Sequence, residues 1–472
     1  MKATHVAAIL ILAACMVPGC GGGGGGGGGS TGSPGTPIPG DLQAGFGDGG
    51  SGAIEVNPDP GAYDVLKDVA VDPANGVLYA VGGVGNGAGT NYLWRIEKRL
   101  LSDGSLVAAF GTGGVVTVDP APGALADEAA VAIAIDPANN VMYVLGSEYN
   151  GPSSMDWRVE KRTLDTGAPV LTFGTGGTGY ETIIPSIDID MPADIAIDGT
   201  SMILVGYDLS PSATDSQWRI EKRSLSAGAL DGGFGTSGVQ LSNPGSGVDE
   251  PAQVVLDGAG NRMYVIGTAT GAGGDLEWRM EKRLLSTAAV DASFDGDGVL
   301  VVDPSAGDDE LRGIALDVAG GVFYLAGDDD AAGGYNHRWR LEKRATSDGS
   351  LVGAFGAAGV LTIEMGTGYD FALGVYLDGP VIYVSGLHHL NPPLPSQDLQ
   401  IMIHRLDAAT GAADSSWGLG GVITENPTAL VDGIAVFGTD ATHLYMGGIE
   451  NVDLINDPPT SNIGWRIEKR TK

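Results

Sequence analysis

The feature that most constrains this chain is a hexamer that keeps returning. WRIEKR begins at Trp94 and comes back as WRVEKR at Trp157, WRIEKR at Trp218, WRMEKR at Trp278, WRLEKR at Trp339 and WRIEKR at Trp465. A worn copy, QIMIHR, begins at Gln400, so there are seven copies, spaced 63, 61, 60, 61, 61 and 65 residues apart. A second marker, Phe-Gly-x-x-Gly, gives the same count. It begins at Phe46, Phe110, Phe173, Phe234 and Phe355, with FDGDG at Phe294 and WGLGG at Trp417 as variants. A unit of this size cannot bury its apolar faces alone, so the copies must stack on one another.

Each unit reads as four strands. A short β-branched run follows the Phe-Gly turn, as in Val115-Val116-Thr117-Val118. An apolar run ending in aspartate comes next (Val131 to Asp136), then a turn, then a second apolar run from Val141 that stops at Gly146. A variable loop leads into the hexamer strand. The two middle strands are apolar on both faces and must be covered on both. The hexamer alternates Trp, Ile and Lys with Arg, Glu and Arg, the pattern of a half-exposed outer strand. The expectation is an all-β chain, a seven-bladed β-propeller of four-stranded antiparallel blades over residues 41–472. A β-solenoid coil is normally much shorter than this unit.

The pattern of Phe-Gly-x-Gly-Gly, β run, acidic residue, apolar strand, Asp-x-x-Gly/Asn, apolar strand, Gly, loop and charged strand resembles the delta-60 repeat family. Those repeats occur in tandem in secreted and surface-attached bacterial proteins. The resemblance implies a propeller-like scaffold and no defined catalytic residues. The charged WRxEKR strand departs from the family's more aromatic strand at this place.

Residues 1–20 read as a lipoprotein signal: Lys2 gives the positive start and Val6 to Leu12 the short apolar core. Two cysteines compete for the lipid. Leu12-Ala13-Ala14-Cys15 fits the local pattern, whereas Cys20 allows a more normal apolar length and leads directly into the glycine run Gly21 to Gly29. Cys20 is the favoured site, with Cys15 the alternative, and residues 21–40 form a flexible Gly/Ser/Pro tether. Gly21 after Cys20 points to the outer membrane or cell surface in a Gram-negative cell. There is no cysteine beyond Cys20, so the remaining chain forms no disulfide and no thiolate metal site. No later apolar stretch reaches the ~20 residues of a membrane span.

Charge is unevenly spread. The six intact hexamers, with three basic residues each, carry 18 of the 25 Lys+Arg residues, which leaves 7 basic residues against 52 of the 58 acidic ones. Arg95, Glu97 and Arg99 share one face of an extended strand. They form either a solvated ladder that blunts a sheet edge or a basic belt for an anionic glycan or lipid headgroup. Nucleic acid is excluded as a partner of a body with net charge −33.

A second series stands eight residues before each hairpin aspartate: Asp64, Glu128, Asp190, Asp249, Asp309 and Asp370, with Leu430 breaking it in the seventh unit. These carboxylates either fix loops through backbone amides or form a ring of weak calcium sites on one flat face. The hairpin aspartates (Asp72, Asp136, Asp198, Asp257, Asp317, Asp378) and Asp295-Gly296-Asp297-Gly298 read as turn residues. His388-His389 is the one histidine oddity, placed in a long surface loop, and no catalytic motif occurs. Variability concentrates before the hexamers, from Gly83, Ser147 and Asp328 and after Gly386 and Gly447. The sequence thus describes a monomeric, lipid-anchored envelope module that shows variable loops to a protein or carbohydrate partner. A propeller hydrolase or lyase acting on an extracellular glycan or peptide is the alternative, with no catalytic pair to name.

Overall fold

A computed structural model describes residues 39–472 apart from 60–63, 87–91, 123–127, 152–153, 213, 331–335, 367, 391–397, 429–430 and 453–462. The signal, both candidate lipidation cysteines and nearly all of the tether lie outside the described residues, as do large parts of the variable loops.

In most of the sheets four strands pair antiparallel, and their order along the chain is their order from the axis outward. In the first sheet these are Val65–Asp72, Val77–Gly85, Tyr92–Leu100 and Val115–Val118. Five sheets have this form. The sixth has eight strands, in which two antiparallel groups meet at a single parallel bridge, Leu399 with Val431. That one bridge is why the structure shows six sheets where seven separate blades were expected. The innermost strands follow one another around an axis, and the last, Val431–Thr439, touches the first, Val65–Asp72. The ring is latched by its ends: Ala53–Val56 pairs with the C-terminal strand Gly464–Thr471, Ala53 opposite Glu468 and Val56 opposite Trp465. The fold is a β-propeller.

The hexamer corrects the sequence reading. Its strand lies third from the axis, and the short β-branched run is outermost. Both faces of the hexamer are therefore interfaces. On one face Trp94 is wholly buried, and its indole Nε1 donates to Ser147 O of the next blade at 2.9 Å. The indole needs a hole. A Cβ on Gly146 would sit 2.5 Å from Trp94 Cζ2, and one on Gly206 would sit 2.5 Å from Trp157 Cζ2, so the glycine that ends the apolar run is fixed by packing. Lys98 Nζ and Tyr79 OH both donate to Leu164 O of the next blade, at 2.8 and 3.0 Å. Lys161 and Tyr143 repeat this on Leu225 O, and Lys343 and Tyr324 on Ala408 O.

The other face is polar and still buried. Glu97 is fully enclosed, bonded to Arg95 Nε at 2.7 Å and Arg99 Nε at 2.6 Å, while Arg99 Nη1 donates to Gly104 O. The same Arg-Glu-Arg bridge forms around Glu160, Glu221, Glu281, Glu342 and Glu468. Neighbouring blades cover it; Ser242 on one outermost strand donates to Glu281 of the next blade at 2.6 Å. Neither a solvated edge ladder nor an exposed basic belt survives, because each glutamate is bound between its two arginines inside a blade interface.

Candidate functional site

The recurring carboxylates stand where each chain segment enters an innermost strand. Asp64 Oδ1 accepts from Gly85 N at 3.0 Å, Glu128 Oε1 from Tyr149 N at 2.8 Å and Asp190 Oδ1 from Leu209 N at 2.9 Å. Asp249 takes Thr270 N at 2.8 Å, Asp309 takes Asp330 N at 2.9 Å and Asp370 takes His389 N at 3.0 Å. Each staples the start of its innermost strand to the end of the second. All six are buried rather than displayed on a flat face. Burial pushes Asp64, Asp190 and Asp309 up to about 6 and Glu128 to about 7, against the pull of the amide donors.

The series does not break in the last blade. Asp432 is buried and accepts from Thr428 N at 2.9 Å, as Asp190 accepts from Ser186 N and Asp309 from Ser305 N. It precedes the hairpin Asp440 by the same eight residues, and Asp440 accepts from His443 N as Asp72 accepts from Asn75 N. Leu430 lies outside the described residues. The six residues assigned to calcium sit one per blade, and among the described residues no three His, Cys, Asp or Glu side chains come together in a metal-sized group.

His388 and His389 are not in a surface loop. They end the strand Val381–His389, where His388 Nδ1 lies 2.8 Å from Asp370 Oδ1 and buried His389 stacks on Tyr369 at 5.8 Å.

The staples fix three positions that face the axis, and there the repeat is lost. One residue after the staple stand Val65, Ala129, Met191, Glu250, Glu310, Phe371 and Gly433; three after it stand Lys67, Val131, Ala193, Ala252, Arg312, Leu373 and Ala435. Four after it stand Asp68, Ala132, Asp194, Gln253, Gly313, Gly374 and Val436. In the blades from Val65, Met191, Glu250, Glu310 and Phe371 the residue three after the staple is the bulge residue, skipped by the pairing with the second strand. A bulge re-aims its side chain, here toward the axis. Two cavities of about 260 and 300 Å³ run along that axis and share Lys67, Val131, Ala193, Ala252, Arg312, Leu373 and Ala435 as wall.

The channel has two polar levels. At the deeper one Asp68 and Asp194 each accept an amide of the following blade, Ile133 N and Val254 N, both at 2.9 Å, and burial lifts both carboxyls to about 7. Gln253 Oε1 takes Ile314 N in the same way. At the level of the staples lie Glu250, Glu310, Tyr207, Thr268 and Ser147. Arg312 is spoken for: Nη2 donates to Glu310 Oε2 at 2.6 Å, the guanidinium also pairs with Asp328, and its plane lies 5.0 Å from the Phe371 ring.

Two groups are different. Lys67 is walled in by protein yet still reached through the channel, and burial alone draws its amine down to about 8. Glu250 is pushed up to about 8, first by burial and then by neighbouring Glu310. Neither has a hydrogen bond or an ion pair among the described residues. Lys67 and Arg312 are also two of only seven basic residues outside the intact hexamers.

The geometry defines a propeller with a polar, asymmetric axial channel. No family model and no curated protein matches the chain. Among solved structures it is similar to the acylaminoacyl peptidase of Pyrococcus horikoshii, at 10% identity and a TM-score of 0.41, over 86% of this chain and 52% of the peptidase. The chain therefore spans about half the length of that protein. It is similar also to an endosialidase of phage phi92, at 12% identity and a TM-score of 0.43, over 89% of this chain and 70% of that one. A third likeness is the β-propeller domain of the Trilobed protease from Pyrococcus furiosus, described as having an open velcro topology. There the identity is 10% and the TM-score 0.39, over 87% of this chain and 94% of the domain. Likenesses of this degree speak to neither ligand nor activity.

Proposed function

We propose that this chain is an exported, lipid-anchored envelope protein of the delta-60 repeat type that binds a small polar solute in its axial channel. Its variable loops, read from the sequence, would serve a larger protein or carbohydrate partner. One observation carries the reading. Tryptophan locks, glycine holes, buried Arg-Glu-Arg bridges and carboxylate staples recur around the ring, while the axial positions differ from blade to blade and gather unpaired charge. A scaffold needs only the repeated part. Uncompensated buried charge is costly unless something binds there, and a few polar groups in a mainly apolar concavity mark a ligand site.

A hydrolytic role is the second reading, favoured by Glu250. A carboxyl pushed up to about 8 is protonated at neutral pH and can serve as a general acid. The test is a melting-temperature screen of the full chain against sugars, amino acids, organic acids and nucleosides. An Ala252→Trp variant, which fills the channel, is screened in parallel. Binding by the wild type that the variant loses supports the channel. Equal responses from the two would remove it. Turnover of a bound solute that disappears in Glu250→Gln would favour the enzyme over the binding protein.

A further inference from the structure

The two unpaired groups of the channel are an amine and a carboxyl, and they stand on different blades. Lys67 lies on the strand Val65–Asp72 and Glu250 on Glu250–Asp257, with the blades of Ala130–Asp136 and Met191–Asp198 between them. Both line the same cavity, yet they do not pair with each other. Every other ion at that level is matched, Arg312 by Glu310 and Asp328. An anion alone would meet Lys67 but leave the Glu250 carboxyl without a cation, beside Glu310 and within a body of net charge −33. A cation alone would meet Glu250 but leave the Lys67 ammonium unpaired. A ligand with one charge of each sign satisfies both groups at once, its ammonium favouring the ionised form of Glu250 so that the carboxyl proton leaves to solvent.

The walls set its size and character. Ala129, Ala193, Ala252 and Ala435 leave the open space, and Met191 and Leu311 give it apolar surface. About 300 Å³ is the lower end of the range for ligand pockets, so the occupant is smaller than a drug-sized molecule.

We propose that the channel takes a free amino acid, with its carboxylate on the Lys67 ammonium and its ammonium on the Glu250 carboxylate. The proposal rests on the channel-binding reading above and adds the ligand's chemical class. Tyr207 and Thr268 line the same cavity.

The test is calorimetric titration of the full chain with L-leucine, N-acetyl-L-leucine and L-leucinamide, after a melting-temperature survey of the common amino acids at about 10 mM. The two derivatives each lack one of the ligand's charges. Leucine, or whichever amino acid shifts the melting temperature most, should bind at least about tenfold more tightly than either of its derivatives. Lys67→Met should remove the penalty for losing the ligand's carboxylate, and Glu250→Gln the penalty for losing its ammonium. Lys67→Met deletes an unpaired enclosed charge and Glu250→Gln keeps the uncharged form that burial favours, so both should melt at or near the wild-type temperature and misfolding does not confuse the result. The inference is overturned if no amino acid binds, or if the acetylated or amidated form binds as well as the parent. A neutral sugar or a simple anion binding instead, with loss in Ala252→Trp, overturns the amino acid and leaves channel binding standing. Absence of any small ligand would remove both.

Discussion

Glu281 offers the sharpest test of how the blades are held. It is wholly enclosed between Arg279 at 2.8 Å and Arg283 at 2.6 Å, and it also accepts Ser242 Oγ from the preceding blade at 2.6 Å. Burial alone would lift its carboxyl, yet Arg283 and Arg279 hold it below the ordinary range. Glu281→Gln keeps the shape and replaces one carboxylate oxygen with an NH₂ that faces guanidinium donors. Two buried cations lose their partner, and one charge-assisted bond becomes a donor-donor contact. Breaking a buried ion pair from one side costs about 3–5 kcal/mol, consistent with about 1.5–3 kcal/mol for each hydrogen bond to a charged group. Replacing all three residues, Arg279→Met with Glu281→Leu and Arg283→Met, removes the desolvation cost along with the bridge. It should recover most of that loss. Urea unfolding followed by tryptophan fluorescence is the assay, because all seven tryptophans are buried in the native state. A Glu281→Gln protein within about 0.5 kcal/mol of wild type would refute the reasoning, since only a hydrated, surface-like bridge is worth so little.

The remaining expectations concern packing, pH and calcium. Gly206→Ala puts a Cβ 2.3 Å from Met191 O and 2.5 Å from Trp157 Cζ2, and should cost about 1–3 kcal/mol in urea unfolding. Gly176→Ala, with nothing within 4 Å and φ +76°, should cost about 1 kcal/mol from backbone strain alone, so a smaller loss at Gly206 would contradict the tryptophan lock. Melting temperature should fall by roughly 5 °C or more between pH 5 and pH 8. Asp68, Asp194 and Glu128 at about 7 and Glu250 at about 8 bind protons more tightly folded than unfolded, so their contribution is present at low pH and lost through that window. Below about pH 4 the sign reverses, as Glu468, held to about 2 by Arg470 and Arg466 against its burial, is protonated. A melting temperature that rises steadily to pH 8 would contradict these shifts. Millimolar calcium should leave the melting temperature unchanged, because the staple carboxylates already accept backbone amides; saturable uptake with a rise would return them to the metal reading.

The repeat made the architecture legible, since WRxEKR and Phe-Gly fix the unit length and the apolar runs fix two covered strands. Strand order was misjudged for a physical reason. Alternation separates a polar face from an apolar one, but it does not say that the polar face meets water. Arg95, Glu97 and Arg99 satisfy one another and can be buried. The staple Asp432 was legible and passed over: it stands 62 residues after Asp370 and eight before Asp440, but the turn after Asp440 reads Ala-Thr-His and lacks the Gly or Asn of the other hairpins. The channel was visible only as a difference. Lys67, Glu250 and Arg312 stand at fixed offsets from the staples, and a search for what the units share passes over the positions where they disagree.

Whether an enclosed and unpaired amine in the axial channel meets the ligand can be read at Lys67 itself. Reductive ¹³C-methylation of the full chain, with Lys67→Met to assign the signal, lets the Lys67 amine be followed by NMR. This resonance should titrate near 8, below the other lysines, and move on adding the amino acid that most raises the melting temperature. A Lys67 signal that titrates at the ordinary lysine value and stays still when ligand binds would contradict it.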